Sequence, residues 1–360
     1  MKVIYALRGD ARAKPGGDTK KIDKYVTALS ESGVETSIVT SVEELESSRY
    51  DICHLVNLDL PIENLRYARA ARRAGARVAM STVSHPIDGL RGLYEQGDDW
   101  FFKYCRALKI DAEYGISARE SLKLIQRREM SPLSRPWGLS RVQQKLLAEC
   151  DAIFPMAEGE LAELSRRFDF EAPSVLVKNG VSFTRDIGCS SRPYDVIVVG
   201  RVEPRKNTVE IAELLARTGH RAVFVGPKNN NHKAYVQRFE TCVDRASNLS
   251  YMGQRSPAEV KSLMQNSLYY VNAAWCEVVS QADIEAASQG CRVLSTKYSY
   301  LSDFIPGGFT EIDPHRIVDG GALGYLQGLL GGDAIAEAEL PHDTWESAAT
   351  SLLSSYAALA

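Results

Sequence analysis

Two carboxylates separated by seven residues, Glu277 and Glu285, stand in the stretch AWCEVVSQADIEAASQGCRVLS, directly after the apolar run LYYVNA (268–273). In open parallel sheets ligands bind beyond the carboxyl ends of the strands, so the loop after such a run is where chemistry is expected. A helix starting near Ser280 leaves Glu277 in the loop before it and carries Glu285 a turn or more inside. The backbone amides of Ser280 and Gln281 then form a helix N-terminus, whose free donors and partial positive charge suit a phosphate. A carboxylate at Glu285 can accept paired hydrogen bonds from the vicinal hydroxyls of a ribose, and one at Glu277 can grip a sugar. Glutamates at this spacing also occur in ordinary helical proteins.

A second segment, GRVEPRKN, puts Gly200, Arg201, Arg205 and Lys206 at the end of the run DVIVVG and just before a helix. Arginine can grip a phosphate with two bonds, and lysine adds a point charge. The same residues around Pro204 also suit a solvated turn.

The elements that must position these groups are legible as short apolar runs alternating with longer amphipathic stretches, the pattern of a parallel sheet with crossover helices. It occurs twice. The first series is VIYAL (3–7), ETSIVT (35–40), DICHLV (51–56), ARVAMSTV (76–83), DAIFPM (151–156) and SVLVKN (174–179). The second is DVIVVG (195–200), RAVFVG (221–226), LSYMG (249–253), LYYVNA (268–273) and RVLST (292–296). Between them, 181–194 is polar, rich in Ser, with a Gly and a Pro and without a clear period, as a linker would be. The expected domains are therefore 1–183 and 192–340, followed by a final segment, 341–360, whose TWESAATSLLSSYAALA reads as an amphipathic helix with Trp345, Leu352 and Tyr356 near one face. The less regular stretch from His85 to Pro136, with GDDWFFKYC, is expected on the acceptor side of the first domain.

With 360 residues, 44% hydrophobic and 25% charged, each half can bury a core. A net charge of −3 argues against a general nucleic-acid binder, which needs a basic face to displace counterions. The densest basic stretch, Arg119, Lys123, Arg127, Arg128, Arg135 and Arg141, reads as a solvated face or as a contact for an anionic acceptor or lipid headgroup. Seven scattered cysteines with no C-x-x-C pair argue against disulfides and structural zinc. No run approaches the ~20 apolar residues that span a bilayer, so a cytoplasmic protein is expected. ALRGDARAKPGGD lacks the Gly-x-Gly-x-x-Gly turn of a nicotinamide-dependent oxidoreductase, and no Asp-x-Asp follows a strand to hold a metal.

The pair Glu277 and Glu285 followed by AASQGCRVLS resembles the signature of retaining glycosyltransferases of family 4, and GRVEPRKN resembles their phosphate-binding loop. PGGDTKKIDKYVTALSESGVETSIVT, SVLVKNGV and TWESAATSLLSSY fall in the same order along nearly the whole chain. The resemblance implies an α/β GT-B fold, two Rossmann-like domains with parallel sheets facing a central cleft, the nucleotide sugar bound by the second domain, the acceptor by the first, and a final helix crossing back. It implies that Arg201 and Lys206 bind the donor diphosphate, Glu285 the ribose and Glu277 the transferred sugar. By the same resemblance Gly16 and Gly17 approach the phosphate, glycine leaving a backbone amide free to come close, and His85 reaches the donor sugar or reacting centre, although it also suits a structural histidine. The implied reaction moves a hexose, with a UDP-sugar favoured, onto a glycan, glycolipid or small-molecule acceptor. It needs no metal or cofactor and at most weak contact with the inner membrane face. A non-catalytic sugar- or nucleotide-binding protein is the competing reading, motivated by EVVSQ, where the family has glycines at the positions of Val278 and Ser280.

Overall fold

The computed structural model describes residues 1–13, 16–132, 137–180, 192–332 and 339–359. Residues 181–191 of the expected linker, and Arg135 of the basic stretch, lie outside the described residues. The chain forms two compact units: Met1–Ser84, Ile110–Ser182 and His342–Ala360 make the first, and His85–Lys109 with Phe183–Pro341 the second.

The first unit is built on five parallel strands, β1 (Lys2–Ala6), β2 (Glu35–Val39), β3 (Ile52–Val56), β4 (Arg77–Ser81) and β5 (Ala152–Phe154), in the order β2-β1-β3-β4-β5. Every residue of β3 is buried, as expected of a central strand covered by helices on both faces. The expected strand 174–179 does not form. β5 ends at Pro155, which has no N–H to extend a ladder. The neighbouring segment keeps one bridge, Ile153 to Ser174, and the bonds from Val175 N to Ile153 O (3.1 Å) and Val177 N to Pro155 O (2.9 Å).

His54 in the middle of β3 is held neutral, its pKa driven down to about 3 by burial and then by the charge of Lys21. Its Nε2 accepts the Ser81 N–H at 3.0 Å, and its Nδ1 meets the Tyr356 hydroxyl at 2.5 Å. That hydroxyl also lies 2.9 Å from the Tyr5 hydroxyl of β1. Tyr356 belongs to the terminal helix Trp345–Leu359, which packs on helix Gly17–Glu31, with Trp345 edge-on to Tyr25 at 5.8 Å. A Cβ at Gly180 would lie 2.3 Å from Trp345 N, so only glycine lets that chain pass so close to the helix start.

Glu160, in helix Glu158–Arg167, is fully buried and accepts from Thr82 Oγ1 (2.6 Å), Ser84 N (2.7 Å) and Met156 N (2.7 Å), tying together the carboxyl ends of β4 and β5. The Lys21 side chain is buried as well; burial, opposed by Glu160, brings its pKa down to about 7. The basic stretch is partly spent within this unit, because Arg127 pairs with Glu63 at 2.6 Å and Glu129 at 3.0 Å.

The second unit holds β6 (Tyr194–Val199), β7 (Ala222–Val225), β8 (Leu249–Tyr251), β9 (Ser267–Asn272), β10 (Arg292–Thr296) and β11 (Phe309–Ile312), all parallel, in the order β11-β10-β9-β6-β7-β8. β11 was not legible in the sequence: FTEI follows a glycine turn and has neither a long apolar run nor a strict alternation. Counted outward from β6, this is the doubly wound Rossmann order, with the reversal of winding between β6 and β9.

Residues 85–109, expected in the first domain, pack instead with this second unit. Helix Ile87–Gln96 presents Gly89 and Gly92 to the loop after β9; a Cβ at Gly89 would lie 2.4 Å from Trp275 O, and one at Gly92 2.9 Å from the Trp275 ring. GDDWFFKYC forms helix Trp100–Ala107, capped by Asp99, and Asp98 pairs with Arg238 of the second unit. Glycine spacing, which sets how closely a helix approaches a neighbour, is therefore what assigns this segment. Gly89→Ala is expected to cost about 1–3 kcal/mol through this overlap with backbone, read as a melting temperature lower by several degrees. An unchanged melting temperature would show that the close packing of this helix on Trp275 contributes nothing.

Candidate functional site

The residues singled out by spacing converge where the winding of the second sheet reverses. After β6 the chain turns through Gly200, forms a short 3-10 turn Pro204–Lys206, and passes Asn207 in a left-handed conformation (φ 50°) into helix Thr208–Leu215. Asparagine tolerates that conformation because its short polar side chain bonds locally. Its Nδ2 donates to Ala273 O at 2.9 Å, joining the loop after β6 to the loop after β9. Gly200 and Gly226 bring two strand ends together: a Cβ at Gly226 would sit 2.0 Å from Gly200 O.

The loop after β9 carries Glu277, and the helix Gln281–Ser288 begins after Ser280, as the spacing predicts. Glu277 is nearly buried, and its Oε1 receives the ammonium of Lys206 and the Arg205 Nη1, the latter at 3.1 Å. Burial alone would raise the Glu277 carboxyl, but the charges of Lys206 and Arg205 outweigh it and hold the pKa at about 2. His85 lies near enough for its charge to act in the same direction. Arg205 is itself braced by Cys276 O (2.8 Å) and by Glu203 (3.4 Å), and its carbonyl accepts from Trp275 N at 2.8 Å. Glu203 is buried, and although burial raises its carboxyl, Arg205 and Arg201 bring it below the usual range.

The structure thus brings together His85, Glu277, Lys206, Gly200, Ser280 and Gln281 within the second unit. Arg201 is more open, with its Nε 3.4 Å from Glu203. Glu285 is partly exposed, one turn inside its helix. Gly16 and Gly17 belong to the first unit, where Gly16 caps helix Gly17–Glu31 and a Cβ at Gly17 would meet nothing within 4 Å. Val278, Val279 and Ser280 all keep ordinary negative φ, with Ser280 at −82° and 113°, so side chains in place of the family's glycines impose no backbone strain.

Sequence reasoning missed the groups that hold this loop. Arg205 is a brace on Glu277 rather than an open cation. Asp283, to which the sequence reading gave no role, is fully buried beneath the helix start. Among the described residues no group of three or more His, Cys, Asp or Glu is arranged to hold a metal, and no helix is long and apolar enough to cross a membrane.

Two parallel α/β units, the second in Rossmann order with its polar loops at the switch point, define the GT-B fold of glycosyltransferases. Solved structures agree over the full chain. Sucrose-phosphate synthase from Thermosynechococcus elongatus superposes with a TM-score of 0.66 at 12% identity, covering 100% of this chain and 99% of its own. The Anabaena protein HepE, in a complex with UDP and glucose, gives 0.61 at 12% identity, covering 99% of each chain. The lipopolysaccharide outer core galactosyltransferase WaaB gives 0.58 at 14% identity, again covering 99% of each. No family model matches the chain, and no curated protein sequence matches it.

Proposed function

We propose that this chain is a retaining glycosyltransferase that moves a hexose from a UDP-sugar to a hydroxyl of a glycan, glycolipid or small-molecule acceptor. The observation that carries the reading is the clamp of Lys206 and Arg205 on Glu277 beside the helix start at Ser280, at the switch point of a Rossmann-order sheet. The solved complexes of HepE with UDP and with UDP-glucose support UDP as the nucleotide.

In this reading the donor diphosphate takes the Lys206 ammonium away from Glu277, and the amides of Ser280 and Gln281 at the helix N-terminus complete its binding. Arg201 adds charge from the open side. Glu277, released from Lys206 but still held by Arg205, accepts bonds from the sugar hydroxyls, Glu285 accepts them from the ribose, and His85 meets the donor sugar. The bond between the anomeric carbon and the diphosphate oxygen breaks as the acceptor oxygen bonds to the same face. The acceptor proton passes to the departing phosphate oxygen, and UDP leaves. The protein aligns the partners and stabilises the charge growing on the diphosphate, without a side-chain nucleophile or a metal. The reaction belongs to the cytoplasm, with at most weak contact at the inner membrane face.

Thermal melting with UDP, GDP and ADP tests the donor. UDP at about 100 times its dissociation constant is expected to add about 2.7 kcal/mol of stability. Glu285→Ala is expected to reduce the UDP shift while its ligand-free melting temperature stays near wild type; an undiminished shift removes Glu285 from the ribose site. A UDP shift accompanied by neither transfer nor slow hydrolysis of UDP-sugars would favour the binding-protein reading instead.

A further inference from the structure

Beneath the loop that carries Glu277 lies a buried polar cluster to which the proposed reaction gives no part. Asp283 occupies the first turn of helix Gln281–Ser288 and is wholly inaccessible to solvent. Its Oδ1 accepts from the Tyr270 hydroxyl at 2.9 Å and from Asn272 Nδ2 at 3.0 Å, and its Oδ2 accepts from the Ser295 hydroxyl. Ser280 adds a further side-chain hydrogen bond to the same carboxyl, and the Asp283 N–H returns to Ser280 O at 3.2 Å. One carboxylate therefore joins the end of β9, the strand β10 and the residue that caps the helix.

The connections continue toward Glu277. Asn272 Oδ1 accepts from Ala274 N at 3.3 Å, and Trp275 N donates to Arg205 O at 2.8 Å. On the far side, Glu277 N donates to Tyr298 O at 3.0 Å and Tyr300 N to Val278 O at 2.9 Å. The segment 273–280 is thus held at both ends by β9 and by the helix start, and Asp283 is the group that binds those two ends to each other.

We propose that Asp283 is a positioning residue: its carboxylate, clamped between Tyr270, Asn272, Ser295 and Ser280, holds the Glu277 loop and the Ser280 helix start in the geometry that receives the donor's sugar and diphosphate. The inference rests on the transferase reading for its substrate but not for its geometry.

Asp283→Leu removes both acceptor oxygens of the clamp, and two independent readouts follow it. Hydrogen exchange is expected to speed up at least tenfold at the amides of Glu277 and Tyr300, with those of β7 unchanged. The KM for UDP-glucose is expected to rise about tenfold with a smaller fall in kcat, and Asp283→Asn, which keeps the shape and one acceptor oxygen, is expected to recover part of both. If Asp283→Leu does not fold, Ser295→Ala is read in the same two ways, with effects of about threefold. Unchanged exchange at Glu277 and Tyr300 in a folded variant overturns the proposal, as does a lower melting temperature with wild-type KM and kcat. If wild-type protein neither binds UDP nor turns over UDP-glucose, the transferase reading fails, and the exchange experiment still decides whether Asp283 orders the loop.

Discussion

Lys206→Ala is expected to lower sugar transfer by roughly 10²–10³-fold, the scale seen when one preorganised charge is removed from a site where negative charge develops. The Lys206 side chain is only 18% exposed and its ammonium already sits on Glu277, so the site holds the cation in place before any ligand arrives. The fold should survive, because Glu277 keeps the Arg205 guanidinium at 3.1 Å. Initial rates with UDP-glucose and thermal melting of the same preparation separate the two effects. Acid titration adds a third measurement. A carboxyl lowered on folding stabilises the protein above its unfolded pKa near 4.5 and loses that contribution as pH falls toward its folded value, about 2 for Glu277. Without Lys206 the folded value moves up toward 4.5, the contribution shrinks, and the ligand-free variant should be less stable than wild type above pH 4.5, the difference vanishing near pH 2. Transfer within threefold of wild type would remove Lys206 from the reaction.

Glu160→Ala is expected to have the largest effect on folding, about 3–5 kcal/mol, the usual consequence of leaving a buried charge without its partner. The substitution orphans the amides of Ser84 and Met156 as well as the Thr82 hydroxyl, and removes the carboxyl that opposes the lowering of the buried Lys21 pKa. At roughly 2–4 °C per kcal/mol for a unit of this size, the melting temperature should fall by about 10 °C. Pairing it with Lys21→Met should recover part of the loss, because the two groups are coupled and their separate effects do not add. A single variant that melts within about 2 °C of wild type would mean that solvent or a rearranged neighbour satisfies those donors.

The fold was largely readable because every strand but β11 announces itself as a short run of branched or aromatic residues between amphipathic stretches, and because that pattern repeats. Glu277, Lys206 and the helix start at Ser280 were readable for a related reason: a loop after a parallel strand has few purposes, and charged residues there stand out against apolar neighbours. The failures have physical causes. Pro155 cuts short a strand that composition alone would prolong. The assignment of 85–109 depends on glycines whose meaning lies in what they touch, and Asp283 looks like any acidic residue in a first helical turn until its burial is known. Arg205 and Lys206 are adjacent cations in the sequence, and only geometry shows that the first also bonds Cys276 O and pairs with Glu203 while the second meets Glu277.

The return of helix Trp345–Leu359 to the first unit has a consequence for biosynthesis. Tyr356 completes a buried triad with Tyr5 and His54, and it is translated 351 and 302 residues after them. As the ribosome extends the chain, the first unit must wait with an uncovered apolar face until all of 183–341 has been translated. The second unit, whose segment 85–109 and sheet are already out, can close before it. Nascent chains halted before residue 345 should therefore expose the face of helix Gly17–Glu31 to chaperones, and a fragment ending at residue 180 is an incomplete unit.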